Sequence, residues 1–282
     1  IFIIIGTILS TISILLLIFN HPFSRIYQEV SLARKTTLII SIELIFISVT
    51  LIQNQARSLS SDLTPPIQQT LMSHACQFFI AFAPIIPNII NGLQIQISFI
   101  NPISLFLIIN SIMSIISLIA CCVAGKEEPL HEKPPTFNPF KQMYNAFKKM
   151  SKPFKRVILS YMFSNAALLQ FNYKFTDFVG SYIFQTENNR QSGEIDSQLY
   201  YDGFCFAILC MAVNNGCQLL YSFVNWKIVE KVGMKWSMFV GNLLLTIALV
   251  LVFWIDFKYA YFLIAGLIGI CQVIVLAVPN AL

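Results

Sequence analysis

Charged residues are scarce in this sequence: Asp, Glu, Lys and Arg together make up 11% of its 282 residues. A water-soluble domain carries about 25% charged residues, so the composition excludes an ordinary soluble enzyme. Histidine is scarcer still, with three residues, and the seven cysteines form no CxxC pair. The sequence therefore predicts no catalytic constellation, no metal site and no bound cofactor, and it does not favour an intramembrane enzyme.

Apolar residues are what the chain has in excess. They make up 56% of the sequence, which includes 25 Phe, and the mean hydropathy is +0.71. About 20 apolar residues are enough for a helix to cross a bilayer. Eight such stretches can be distinguished, at about 1–19, 37–61, 68–93, 101–123, 157–185, 203–225, 236–256 and 259–282. We predict an all-α, multi-pass membrane protein embedded in the lipid bilayer.

One long, charged and Pro-rich segment, 124–156, divides the eight spans into two groups of four, 1–123 and 157–282. Lys and Arg concentrate in this segment and in the short loop 226–236, so the positive-inside rule places both in the cytoplasm. The net charge of +5 is therefore interpreted as a matter of membrane orientation, and no nucleic-acid partner is expected. The sequence begins without Met and stops inside an apolar span, and we expect it to be an internal fragment of a longer protein.

The second span carries polar residues on one side. Counted at about 100° per residue from Glu43, four further polar side chains fall within about 40° of it: Thr50, Asn54, Arg57 and Ser61. Such a stripe faces a bundle interior or a water-filled cavity. It fits either a substrate or ion pathway or a structural hydrogen-bonding seam between helices.

The fifth span is the second polar helix. Asn165, Asn172 and Thr176 lie within about 40° of one another on a helix, and Lys174 and Asp177 lie on another face. Lys174 and Asp177, three residues apart, fit either a functional polar face or a pair in which the lysine extends to the membrane surface.

Four stretches carry a resemblance to a known family. They are the residues Gln53, Arg57, Leu59, Asp62 and Leu63; the segment FTDFVG at 175–180; the series Tyr200, Asp202, Gly203, Asn214 and Ser222 with the following WKIVEKVG; and GICQVIVLAVPNAL at 269–282. In order and spacing they resemble motifs of the plant sucrose/proton symporters and their animal relatives. These proteins belong to the glycoside–pentoside–hexuronide:cation symporter branch of the major facilitator superfamily.

The resemblance implies a twelve-helix bundle of that superfamily, of which this chain would supply helices three to ten. Residues 1–123 would belong to the N-terminal half, 124–156 to the cytoplasmic loop between the halves, and 157–282 to the C-terminal half. The implied function is transport of a sugar or glycoside, a sucrose-like disaccharide above all, by alternating access with proton symport.

The resemblance also implies site residues. Arg57 matches the arginine of helix four that is implicated in sugar binding, and a guanidinium can hold two hydroxyl oxygens with its rigid fork. We expect hydrogen-bonding groups around it from four further residues: Asn54, Thr50, Gln53 and Asn172.

Proton coupling departs from the family pattern. Phe46 and Phe175 stand where the family has acids, whereas Asp177 matches the second acid of its DTD motif. Glu43 lies one turn before Phe46 on nearly the same face, and we hypothesise that it carries the proton, because burial in low dielectric suits a carboxyl for reversible protonation. The coupling ion would be the proton, and the proton-coupling residues would be Glu43 and Asp177.

Two alternatives remain open. Without the usual acids, the protein could be a sugar sensor on a transporter scaffold that moves no sugar, or an uncoupled sugar facilitator. In each of these cases, transporter, sensor or facilitator, we expect the protein in the plasma membrane or in a vacuolar or endosomal membrane.

Overall fold

The computed structural model describes residues 2–20, 32–65, 68–93, 112, 115, 116, 119, 144, 145, 147–185, 195–255 and 257–277. Every regular element in these ranges is helical, which confirms the predicted all-helical class there. Four helical stretches are long and apolar enough to cross a membrane: Gln69–Gly92, Ser197–Val232, Met234–Trp254 and Ala260–Ala277. The predicted span 101–123 and most of the loop 124–156 lie outside the described residues.

Eight α-helices are described in these ranges. They are α1 (Phe2–Asn20), α2 (Leu32–Leu63), α3 (Gln69–Phe82), α4 (Ile85–Gly92), α5 (Lys152–Phe178), α6 (Ser197–Val232), α7 (Met234–Trp254) and α8 (Ala260–Ala277). A π-helical turn, Val179–Ile183, continues α5.

The chain forms two compact units, which do not follow chain order. The first unit comprises 1–65 and 96–133, and the second comprises 66–95 and 134–282. Hydropathy groups residues 66–95 with the first four spans. By their contacts, however, these residues belong to the same unit as α5 to α8.

In the first unit, α1 and α2 pack through small residues. Thr7, Ser10 and Ser13 of α1 and Ser41 and Ser48 of α2 are buried, and the Ser13 hydroxyl donates to the Ser41 carbonyl. A Cβ on Gly6 would lie 3.2 Å from the Ser48 carbonyl oxygen. Small residues let two helix backbones approach closely without a water-driven hydrophobic force, as membrane helices require.

In the second unit, prolines set the boundary between α3 and α4. Pro84 has no N–H, and its ring clashes with the carbonyl four residues earlier, so α3 ends at Phe82. A new helix begins at Ile85, and Asn88 N donates to the Pro84 carbonyl at 3.0 Å. Pro87 falls in the first turn of α4, where a missing N–H costs nothing.

A clamp joins the end of α5 to the start of α6. The buried Gln185 side chain donates to the Gly180 carbonyl at 3.1 Å and accepts from the Asp196 N–H at 3.0 Å. Asp196 in turn caps α6, since its Oδ1 accepts from the backbone N–H groups of Gln198 and Leu199 at 2.8 and 3.1 Å. The two helices are thus held at this end by side chain-to-backbone bonds.

A single residue, Gly233, separates α6 from α7. Its φ of 86° and ψ of 150° fall in a region that is essentially restricted to glycine. Its N–H still donates to the Val229 carbonyl at 2.9 Å, so the last turn of α6 is closed. This backbone conformation lets one residue connect the two long helices.

The hydrophobic core of the second unit lies around α8. Leu168 and Phe175 of α5, Cys210 of α6, and Ala248 of α7 pack against it. The α8 residues in this core are Tyr261, Ile264, Ala265, Ile268, Cys271 and Val275. The buried positions of α5 recur every three or four residues, at Ser164, Leu168, Phe171 and Phe175, as expected for one helix face against a core.

Apolar side chains on the surface and polar side chains in the interior distinguish this structure from that of a soluble protein. Large apolar side chains are highly exposed, such as Trp254 at 81% and Leu263 at 79%, while His74 and Asn225 are at most 1% exposed. Extended apolar surface marks contact with a membrane or a partner, and buried polar groups between apolar helices are a feature of membrane bundles. The described part of the chain is therefore that of a membrane-embedded protein.

Candidate functional site: a buried polar seam and orphaned amides

Five uncharged polar side chains are buried where α3 meets α6, and we call them the polar seam. They are His74 and Gln77 of α3 and Gln218, Ser222 and Asn225 of α6. On each helix their spacing of three or four residues puts them on one face. His74 contacts Asn225, whereas Gln77, further along α3, contacts Gln218, which comes earlier in α6. The two helices therefore run antiparallel.

The bond between His74 and Asn225 defines the state of the imidazole. His74 Nδ1 lies 2.7 Å from the Thr70 carbonyl oxygen, which only accepts, so Nδ1 carries a proton. His74 Nε2 lies 2.7 Å from Asn225 Nδ2, an amide donor, so Nε2 accepts. The described arrangement therefore holds a neutral imidazole between two helices.

The two seam glutamines form a weaker link between α3 and α6. Gln218 Nε2 lies 3.5 Å from Gln77 Oε1, at the limit of a hydrogen bond. The Ser222 hydroxyl donates to the Gln218 carbonyl of its own helix at 2.7 Å. Ser73, next to His74, donates to the carbonyl of Ala277 at 2.8 Å and so links α3 to the end of α8.

Three amide oxygens in the second unit are buried without a hydrogen-bond partner among the described residues. They are Asn172 Oδ1 on α5, Gln272 Oε1 on α8 and Asn225 Oδ1 of the polar seam. A buried acceptor without a partner costs roughly 1–3 kcal/mol, and a native structure retains one where a ligand, a water or a functional change satisfies it. Asn172 is one of the substrate-binding residues that the sequence predicts.

The predicted residues of α2 lie on one helix, which is continuous from Leu32 to Leu63. Glu43 and Thr50 are exposed, on the side away from the buried Ser41 and Ser48, and the Thr50 hydroxyl donates to the Phe46 carbonyl of its own helix at 2.7 Å. The side chains of the other three predicted residues, Gln53, Asn54 and Arg57, lie outside the described residues.

Asp177, the second predicted coupling acid, is exposed near the end of α5. Its Oδ1 accepts from the Tyr200 hydroxyl of α6 at 3.2 Å. Phe175, at the other position of the motif, is buried, with its ring centroid 4.7 Å from that of Phe171 and 6.1 Å from that of Tyr261. The site that holds an acid in the family pattern is here part of an aromatic core.

A cavity of about 370 Å³ lies between α5 and α7. Its walls are mainly aromatic and aliphatic, from Phe171, Phe175, Phe178, Leu249, Val252 and Phe253, with Gln170 and Lys174 beside them. This cavity can hold an apolar group of a ligand, but it presents few hydrogen-bonding atoms. The buried amides are the better candidates for contact with a polar ligand.

Sequence reasoning missed the polar seam, since it considered the three histidines only as too few for a catalytic or metal site. The signal was nevertheless present: His74 and Gln77 share one helix face, as do Gln218, Ser222 and Asn225, inside two apolar spans. Among the described residues no three His, Cys, Asp or Glu side chains come together in a way that could hold a metal ion.

Compared with protein-family models and with curated proteins, the chain matches none of them.

Proposed function

We propose that the protein is a secondary active transporter that moves a sugar or glycoside across a membrane by alternating access, with a proton as the coupling ion. In this proposal the chain supplies helices three to ten of a twelve-helix major facilitator bundle. The motifs at 53–63, 175–180 and 269–282 support that assignment by their resemblance to sucrose symporters. The membrane-spanning helices of the second unit are consistent with it.

The observation that carries the proposal is the orphaned oxygen of Asn172. A sugar is a dense array of hydroxyl donors and acceptors without charge, so its natural partners are amides and hydroxyls. Asn172 Oδ1 and Gln272 Oε1 are buried acceptors on two helices of one unit, and neither has a partner among the described groups. A sugar hydroxyl that donates to Asn172 would satisfy an atom whose burial otherwise has a free-energy cost.

Other residues take complementary roles in the proposal. Arg57, with Asn54, Gln53 and Thr50 on the same helix, would hold further hydroxyls, and Glu43 with Asp177 would exchange the proton. The polar seam would act as a closed contact between helices. Its neutral bonds, such as the weak Gln77–Gln218 contact, can be exchanged for water or ligand bonds at small cost.

The test is uptake of labelled sucrose and related glycosides by the complete protein in proteoliposomes. We expect Asn172→Leu to lower uptake efficiency by about tenfold, the worth of one hydrogen bond of roughly 1–1.5 kcal/mol. The same change should leave thermal stability unchanged or raise it, because it removes an unpaired polar atom. If Asn172 were purely structural, the change would lower thermal stability and leave the uptake efficiency of the folded protein unchanged.

The matched control is Asn215→Leu on α6, whose amide already donates to the Met211 carbonyl of its own helix at 2.8 Å. We expect this variant to transport normally. Unchanged uptake by Asn172→Leu would remove Asn172 from the binding site. Sugar binding without flux would identify a sensor instead, and flux that ignores a pH gradient would identify a facilitator.

A further inference from the structure

The His74–Asn225 pair contains an unused hydrogen-bonding atom. Asn225 Nδ2 donates to His74 Nε2, while Asn225 Oδ1 is buried and has no partner among the described residues. The primary amide is one of the few side-chain groups that present a donor and an acceptor at almost the same place. Rotation of the amide by 180° exchanges the two.

We propose that His74 is a reversible proton-binding site, with Asn225 as the partner that accommodates both protonation states. With His74 neutral, the amide N–H donates to Nε2. When Nε2 takes up a proton, the amide rotates and its Oδ1 accepts from the new N–H. The Nδ1–H bond to the Thr70 carbonyl is retained in both states.

In the protonated state both imidazolium N–H groups therefore have an oxygen acceptor. A buried cation requires such compensation, because it has lost its water. Hydrogen bonds from a charged donor are roughly twice as strong as neutral ones, so the Asn225 oxygen contributes more to the charged state than its N–H contributes to the neutral one.

The helices packed against α3 are α4, α6 and α8, and α4 carries no titratable residue. On α3 itself Cys76 is half-buried, and on α8 Cys271 is buried. The titratable residues on this part of α6 are Cys217, Tyr221, Lys227, Glu230 and Lys231, of which the last three are exposed. The two ring nitrogens contact Thr70 and Asn225, both neutral, so the proton would be held by carbonyl oxygens without a carboxylate.

The His74–Asn225 pair lies close to one end of α3 and α6, so a proton has a short path from that end to His74. His74 lies in the second turn of α3, and Asn225 lies two turns before the end of α6. Both are therefore near one end of their helices. At 1.5 Å per residue His74 is about 8 Å from the start of α3.

This inference deepens the proposed transport function by naming a further proton site, but its test does not require transport. The full chain is reconstituted in lipid nanodiscs with its two other histidines, His21 and His131, replaced by asparagine and with a histidine-free affinity tag. Nitrogen-15 NMR of labelled histidine then reports on His74 alone. It distinguishes the two neutral tautomers from the imidazolium.

We expect the neutral form with its proton on Nδ1 at about pH 8, and conversion to the imidazolium on acidification towards about pH 5, the range in which histidine titrates in proteins. Asn225→Asp should move the conversion to higher pH, because a carboxylate stabilises the cation. Asn225→Leu should move it to lower pH, because Nε2–H loses its acceptor. Asn215→Leu on the same helix should not move it.

A ring that stays neutral over the whole range, or that carries its proton on Nε2 at high pH, would overturn the proposal. Shifts of the two Asn225 variants in the same direction would overturn the role of the amide. If His74 titrates as expected but the protein moves no sugar, the result would count against the transport function and would support the proton site.

Discussion

Gly203 of α6 and Gly180 of the π-helical turn lie back to back. A Cβ added to Gly203 would stand 2.8 Å from Gly180 Cα and 2.9 Å from Phe184 Cβ. Both neighbours are atoms at or next to the backbone, which no rotamer change can move. The absence of a side chain at 203 therefore sets how closely α6 approaches the end of α5.

We expect Gly203→Ala to destabilise the protein by about 1–3 kcal/mol, the usual cost of overpacking an interior contact. Thermal unfolding in detergent measures the effect. The matched control is Gly216→Ala on the same helix, where an added Cβ has no neighbour within 4 Å. This change should be neutral or stabilise by up to about 1 kcal/mol, since alanine favours a helix interior. Equal stability of the two variants would contradict the close approach.

The hydroxyl of Tyr261 joins the start of α8 to the end of α7. It donates to the Ile255 carbonyl at 2.7 Å and lies 3.0 Å from the Val252 carbonyl oxygen, and the ring is almost fully buried. Tyr261→Phe keeps the shape but leaves these carbonyls without the hydroxyl, so we expect a loss of about 1–2 kcal/mol. The exposed Tyr259 gives the control: Tyr259→Phe should unfold at the wild-type temperature. If Tyr261→Phe unfolded at the same temperature as Tyr259→Phe, the hydrogen bonds of Tyr261 would contribute nothing to stability.

Glu43 is exposed on the face of α2 opposite the α1 contact. If it carries the coupling proton, Glu43→Gln should abolish accumulation of sugar driven by a pH gradient. Exchange of labelled for unlabelled sugar at equal concentration should continue, because exchange needs no net proton movement. Glu230→Gln, at an exposed position of α6, serves as the control and should accumulate sugar normally. Gradient-driven accumulation by Glu43→Gln would exclude Glu43 as the carrier.

Hydropathy predicted where the described helices lie, and four helical stretches among them are long and apolar enough to cross a membrane. It predicted the ends of the helices less well. The predicted span 203–225 is the centre of α6, which extends from Ser197 to Val232, since a helix can continue past the apolar region with polar residues. Local chemistry marks those ends: Asp196 caps the first turn, and Gly233 ends the last.

The candidate site was predictable only in part. Asn172 was identified from its helical register, and its buried oxygen has no partner among the described groups. The His74–Asn225 bond joins residues 151 positions apart in sequence, and no local pattern reveals which face of α3 meets which face of α6. Phe175 was recognised as a departure from the family pattern, but its place in an aromatic cluster became visible only in three dimensions.

The one-residue connection at Gly233 has a mechanical consequence. With no loop to absorb movement, a tilt or rotation of the last turns of α6 passes directly to the first turn of α7. Asn225 lies in that part of α6, so a change of hydrogen-bond partner at His74 would reach α7 through two turns of helix and one glycine. Lengthening this joint by two or three flexible residues should uncouple the two helices and loosen the buried cluster that Val229 and Met238 form across it.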